Sequence, residues 1–175
     1  WPAQPVYVEV ICEAGGMVPM LARAADPYGV TVRSGGGFDS TTAKHDLARH
    51  YAAQSAPVVV LHLGDYDPSG EAIWNNFAED VSAFTEAMGG QLTVHRIAVT
   101  RAQQQAYDLP TAPPKKSDKR GAFDDNITVQ AEALPPDVLQ QIVRDAIESE
   151  IDLDTLAATK EAEKITRQEL VARLS

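Results

Sequence analysis

Two hydrophobic rhythms alternate along the first hundred residues. Residues 6–12 (VYVEVIC) form a short β-branched run that predicts a buried strand ending at Glu13. Beyond Gly15-Gly16, the residues Met17, Met20, Leu21 and Ala24 recur at helical spacing and predict a helix over 17–25, stopped by Asp26-Pro27-Tyr28-Gly29. Residues 30–32 read as a second short strand, followed by the loop Arg33-Ser34-Gly35-Gly36-Gly37. Thr41-Thr42 opens a helix to about residue 55, and Pro57 breaks the chain before VVVLHL at 58–63. That unbroken apolar run predicts a central parallel strand covered on both faces. A long helix over 69–88 ends at Gly89-Gly90, and 92–99 reads as a fourth strand. Thr100 is placed to cap a short helix ending near Tyr107.

Further along, 109–126 is a loop rich in Pro, Lys, Asp and Gly. Residues 127–131 predict a fifth strand at a sheet edge. Two helices follow, over 136–149 and 152–174, the second read as amphipathic. Repeated alternation of strand and helix predicts an α/β fold, with a central, mainly parallel four-stranded sheet, flanking helices and additional C-terminal helices. The expected organisation is an α/β domain over 5–132 and a helical extension over 133–175, packed on or beside it.

Composition narrows the setting. No stretch approaches the ~20 apolar residues a transmembrane helix needs, and no basic-then-apolar leader is present. The single cysteine, Cys12, lies in the first apolar run and reads as a small buried hydrophobe. One cysteine makes no internal disulfide, which fits a reducing cytoplasm, or the nucleoid if DNA is the substrate. A chain that opens on Trp1 instead of methionine reads as a piece of a longer or processed product. The net charge of −10 gives no support to bulk electrostatic binding of nucleic acid. The acid is uneven: residues 121–175 carry 12 Asp and Glu against 5 Lys and Arg, and residues 1–120 carry 13 against 10.

Chemistry gathers at two predicted strand ends. Ligands of open parallel sheets bind at the carboxyl ends of the strands. Glu13 follows the first strand, and Asp65 and Asp67 follow the third, in LHLGDYDPSGE. In extended chain, residues i and i+2 point the same way, so the two aspartates can converge on one cation. Mg2+ takes hard oxygen ligands and keeps several waters, so one or two carboxylates suffice. Glu13 is either a further ligand or a general acid/base. The same Asp-Tyr-Asp-Pro-Ser-Gly string also reads as a polar turn capping a helix.

The order VEVICEAGGM, then two βα units, then LHLGDYDPSGEAI resembles a Toprim domain, the metal-binding α/β module of type IA, II and VI topoisomerases, bacterial primases and OLD-family nucleases. The form GDxDPSG most resembles the topoisomerase VI A-subunit branch, its meiotic double-strand-break relatives, and toprim-like proteins of phages and mobile elements. RIAVT, YDLPTAPPK and EALPPDVL resemble the last group. The likeness covers roughly residues 5–150. It implies Mg2+-dependent breakage, or breakage and rejoining, of phosphodiester bonds in DNA, with RNA as the alternative polymer and Mn2+ as a substitute ion. Asp65 and Asp67 would hold the metal; Glu13 would share it or move protons.

The chain departs from that pattern in places. The branch carries Lys directly after the motif Glu, where this chain has Ala14. Type IA topoisomerases place a third acid where this chain has Ser69. Glu71 either supports a second metal or faces solvent, and Glu9, of the same parity as Glu13, either joins the site or pairs with a basic group. No tyrosine lies in a recognisable helix-turn-helix, so a transesterifying tyrosine would come from an upstream winged-helix domain or a partner subunit; otherwise a metal-activated water would hydrolyse. Arg33 with its glycine loop, and Lys115, Lys116, Lys119 and Arg120 in the long loop, are the candidate phosphate contacts, set against a flexible turn and a solvated loop. A non-catalytic DNA- or protein-binding module and a receiver-like signalling domain are the competing classes; the second lacks a switch lysine on a late strand.

Overall fold

The computed structural model describes residues 1, 3–36, 40–114 and 127–174. Four strands form one sheet: β1 (Tyr7–Cys12), β2 (Thr31–Ser34), β3 (Val58–Leu63) and β4 (Leu92–Ala98). Their order is β2-β1-β3-β4, and every neighbouring pair is parallel. This is an α/β fold of the Rossmann-like class. The helices are α1 (Val18–Ala25), α2 (Thr41–Ala52), α3 (Pro68–Ala87), α4 (Arg101–Ala106), α5 (Pro136–Glu150) and α6 (Leu153–Leu174).

Residue parity divides the two faces of the sheet. Val8, Val10 and Cys12 of β1 and Val59, Leu61 and Leu63 of β3 enter one apolar cluster with Leu21 of α1 and Leu139, Val143 and Ile147 of α5. Ile11, Val58 and Val60 enter the other, with Leu47 and Tyr51 of α2 and Trp74, Phe77 and Val81 of α3. With both faces covered, β3 is buried along its whole length, which is why its sequence reads as an unbroken apolar run. The i, i+4 spacing of Leu139, Val143 and Ile147 puts all three on one face of α5, against α1 and the sheet.

Local signals set the boundaries. Ser40 caps α2, its Oγ accepting from the Ala43 N–H at 3.1 Å. Thr100 and Gln103 form a reciprocal capping box at the start of α4. Gly89 adopts φ 83°, a left-handed conformation that ends α3 without a Cβ penalty.

Two expectations fail. The segment 127–131 is not a fifth strand: Thr128 and Val129 make single antiparallel bridges, to Ala112 and Tyr66, and the chain then turns into a short 3-10 helix at Ala131–Ala133. Its β-branched residues serve the core instead, with Val129 and Ala131 each 1% exposed. Nor does α6 present an apolar stripe to the body. It contains no buried residue; Leu170, Val171 and Leu174 stand exposed, and Leu156 is the α6 residue that packs at the edge of the core. No helix among the described residues is long and apolar enough to cross a membrane.

Candidate functional site

The chain passes from β1 to β2 on one side and then returns to lay β3 on the other side of β1. The strand order therefore switches between β1 and β3, and open α/β sheets bind ligands in the crevice at the carboxyl ends of such strands. Glu13, Asp65 and Asp67 all follow these two strands. The ladder continues past the strand ends, with the Glu13 N–H donating to the Leu63 carbonyl at 2.9 Å and the Gly64 N–H to Ala98 at 2.9 Å.

Glu13 lies against Gly64. A Cβ at that position would stand 2.4 Å from Glu13 Oε2 and 2.9 Å from His62 Cε1, so only glycine leaves room for the carboxylate. Glu13 Oε1 is 3.4 Å from His62 Nε2. The imidazole is 1% exposed and stacks on Trp74, with ring centroids 3.7 Å apart and planes 6° from parallel. Burial pushes the His62 imidazole below its ordinary value, and the Glu13 carboxylate opposes that. His62 Nδ1 and Glu13 Oε1 are both buried without a hydrogen-bond partner.

The two aspartates are each tied to a backbone N–H. Asp67 caps α3, its Oδ1 accepting from Gly70 at 2.7 Å. Asp65 Oδ1 accepts from the Ala131 N–H at 2.7 Å, which docks the 3-10 turn onto the strand end. Tyr66 strengthens that docking through paired backbone bonds with Val129 of 2.8 and 2.9 Å. Glu13 and Asp67 nevertheless face one point: a Cβ on Gly70 would meet Asp67 Oδ1 at 3.3 Å and Glu13 Oε2 at 3.5 Å. Burial pushes the Asp65 carboxyl above the ordinary aspartate range; Glu132, Asp67 and Glu13 push the same way, against the Ala131 bond. Glu132 thus belongs to the same acidic neighbourhood.

Arg96 of β4 staples this loop. Its Nη2 donates to the carbonyls of Gly64, at 3.1 Å, and Asp65, and its Nε donates to Val99 at 3.1 Å. Glu71 sits 3.3 Å from Arg96 Nε, so it is an ion-pair partner in the first turn of α3 and not a solvent-facing acid. Ser69 lies in the same turn. Glu9 is fully buried beneath the site. Its Oε1 accepts from Arg33 Nε at 2.7 Å and from the Tyr51 hydroxyl at 2.9 Å, so both Glu9 and Arg33 are committed to an internal ion pair. Gly35 runs alongside Glu13, where a Cβ would stand 3.4 Å from the Glu13 Cα, and donates its N–H to the Cys12 carbonyl at 2.7 Å. Gly37, Lys115, Lys116, Lys119 and Arg120 lie outside the described residues.

Among the described residues, no three His, Cys, Asp or Glu side chains are grouped closely enough to ligate one ion. The donor type is one that Mg2+ accepts: hard carboxylate oxygens, for an ion that needs one or two carboxylates and keeps several waters. His62 and Arg96 were not anticipated as site residues. For His62 the available signal was a polar side chain inside a buried strand, which needs a partner. No protein-family model matches the chain, and no curated protein matches it significantly.

Proposed function

We propose that this chain is a Toprim-type domain acting on phosphodiester bonds of nucleic acid, DNA foremost, with Mg2+ as cofactor. One observation supports the reading: an acid follows β1 and an Asp-x-Asp follows β3, the two strands between which the strand order switches. The ion would be held by Asp65 and Asp67, with Glu13 beside it, and would supply charge stabilisation at the phosphate and activation of the attacking or leaving oxygen. Glu13 would take or give the proton of that oxygen. Gly64 and His62 fix its carboxylate, and Arg96 holds the backbone of the aspartate loop. The nucleophile is a water or a tyrosine from another domain or subunit.

The test is cleavage of supercoiled and linear DNA, and of RNA, with Mg2+ or Mn2+, comparing wild type with Asp65→Ala/Asp67→Ala and Glu13→Gln. Metal-dependent cleavage lost in both variants supports the reading; equal cleavage in all three proteins sinks it. One observation favours a second reading, a metal-dependent binding module without chemistry: Oδ1 of each aspartate is already engaged by a backbone N–H. Metal binding by calorimetry with no cleavage of any polymer would select that reading.

A further inference from the structure

An anionic polymer must find positive charge on a chain of net charge −10, and two cations near the strand ends are already committed. Arg33 is held by Glu9, which is fully buried, so drawing the guanidinium away would strand a carboxylate inside the protein. Arg96 is engaged by the carbonyls of Gly64, Asp65 and Val99, and moving it would dismantle the aspartate loop. Lys44 differs from both. It lies in the first turn of α2 and lines, together with Glu13, Gly35 and Asn76, a cavity of about 180 Å3 on the α2/α3 side of the sheet. Its Nζ is 2.7 Å from Asp80 Oδ2, and Asp80 is 51% exposed, so water takes over that carboxylate when the ammonium leaves. Asp80 follows the lining residue Asn76 by one turn of α3, which puts this ion pair at the edge of the cavity. The first turn of α2 contains no acid, and the positive end of the helix dipole stands there. A lysine in that turn opposes the dipole, so helix stability does not account for its place.

We propose that Lys44 grips a backbone phosphate of the nucleic-acid strand, exchanging the Asp80 carboxylate for a phosphate oxygen. The proposal rests on the nucleic-acid reading above and names a contact by which the polymer is held beside Glu13. Such a contact is indifferent to base sequence. It is also salt-dependent, because each phosphate that a lysine neutralises releases condensed counterions.

The experiment measures binding of a fluorescent single-stranded DNA oligonucleotide by the full chain, from its initial anisotropy, over a KCl series at fixed Mg2+ and again with EDTA. The central variant is Lys44→Met/Asp80→Asn, which removes the ion pair and leaves the net charge unchanged. Its control is Lys164→Met/Glu161→Gln, the same neutral exchange at an exposed ion pair of α6. The Lys44 double variant is expected to bind roughly fivefold more weakly at low salt, with a log–log salt slope shallower by about 0.7, the loss of one phosphate contact on a single strand. The control should bind as wild type does, and Lys44→Arg should keep the wild-type slope. A folded Lys44 double variant with the wild-type slope, or a control that loses as much, would overturn the proposal, because an ion pair that only joins α2 to α3 leaves the salt slope untouched. Failures of the two readings stay separable. A wild-type chain that binds no DNA in either condition removes the nucleic-acid reading and this contact with it. DNA binding with an unaltered slope removes Lys44 alone, and a lowered slope without any cleavage keeps Lys44 and removes the catalytic reading.

Discussion

Gly64→Ala tests the placement of Glu13 most directly. The new methyl would stand 2.4 Å from Glu13 Oε2, 2.5 Å from Glu13 Cδ and 2.9 Å from His62 Cε1. Backbone strain does not confuse the result, because the left-handed glycines are Gly29 and Gly89 and not Gly64. The cost is therefore steric. His62 cannot retreat, since Trp74 is stacked on it, so the Glu13 carboxylate must swing away. Overpacking of this kind costs about 1–3 kcal/mol. For a chain of this size that corresponds to a fall in Tm of roughly 3–10 °C. Gly16→Ala is the control, because a Cβ there meets nothing within 4 Å. Thermal melts monitored by circular dichroism give the stability arm, and metal-dependent cleavage gives the functional arm. The variant should lose stability in that range and lose cleavage far more than a comparably destabilised core variant does. A Gly64→Ala protein as stable as wild type, with cleavage intact, would refute the placement of the carboxylate over Gly64.

Other substitutions separate roles that share a residue. Asp67→Ala should cost about 1 kcal/mol as a lost N-cap, and Asp67→Ser should regain most of that stability in urea titrations without regaining metal affinity. Asp65 has a raised pKa, so its ionised form costs the native state more than the unfolded chain, and its unfavourable contribution fades as pH falls from the raised native value toward the ordinary 3.8. Asp65→Asn keeps the acceptor for Ala131 and should melt above wild type at neutral pH, with the difference closing in acid; a gap that widens in acid would contradict the assignment. Arg33→Ala strips a fully buried carboxylate of its cation and should cost about 3 kcal/mol, much of it restored by adding Glu9→Gln, as denaturant titration of the two proteins would reveal. Burial pushes the Cys12 thiol up to about 11, so iodoacetamide should leave it unmodified at pH 8 until denaturant is added, as read by mass spectrometry.

The sheet was legible because β1, β3 and β4 are written as short β-branched or apolar runs closed by glycine, proline or a capping residue. The strand-end acids were legible because parallel sheets bring their carboxyl ends to one edge. The segment 127–131 misled because β-branched residues mark burial as much as strand pairing; Val129 is buried, but its backbone bridges to Tyr66. The helix over 152–174 read as amphipathic, yet its Leu170, Val171 and Leu174 stand exposed, because apolar residues create a buried face only where another surface meets them. Glu9 was ambiguous because parity alone puts it in line with Glu13; its buried position against Arg33 and Tyr51 is a tertiary fact. The contact of Glu13 with His62 depends on the register that pairs Cys12 with Leu63, which no local pattern encodes.

Parity along β1 has a further consequence. Even positions carry the grease that binds the sheet to α1 and α5, whereas Glu9, Ile11 and Glu13 occupy the odd ones. Inserting or deleting one residue inside the strand would exchange the two sets, driving the carboxylates into the layer against α1 and α5 and the valines toward α2 and α3. The chemistry is thus protected by a reading frame in space. Substitutions on either face can drift independently, but the spacing between the faces cannot change by one residue without losing both the core and the acid. A graft of this site onto another parallel sheet would have to preserve that frame before it preserved any particular side chain.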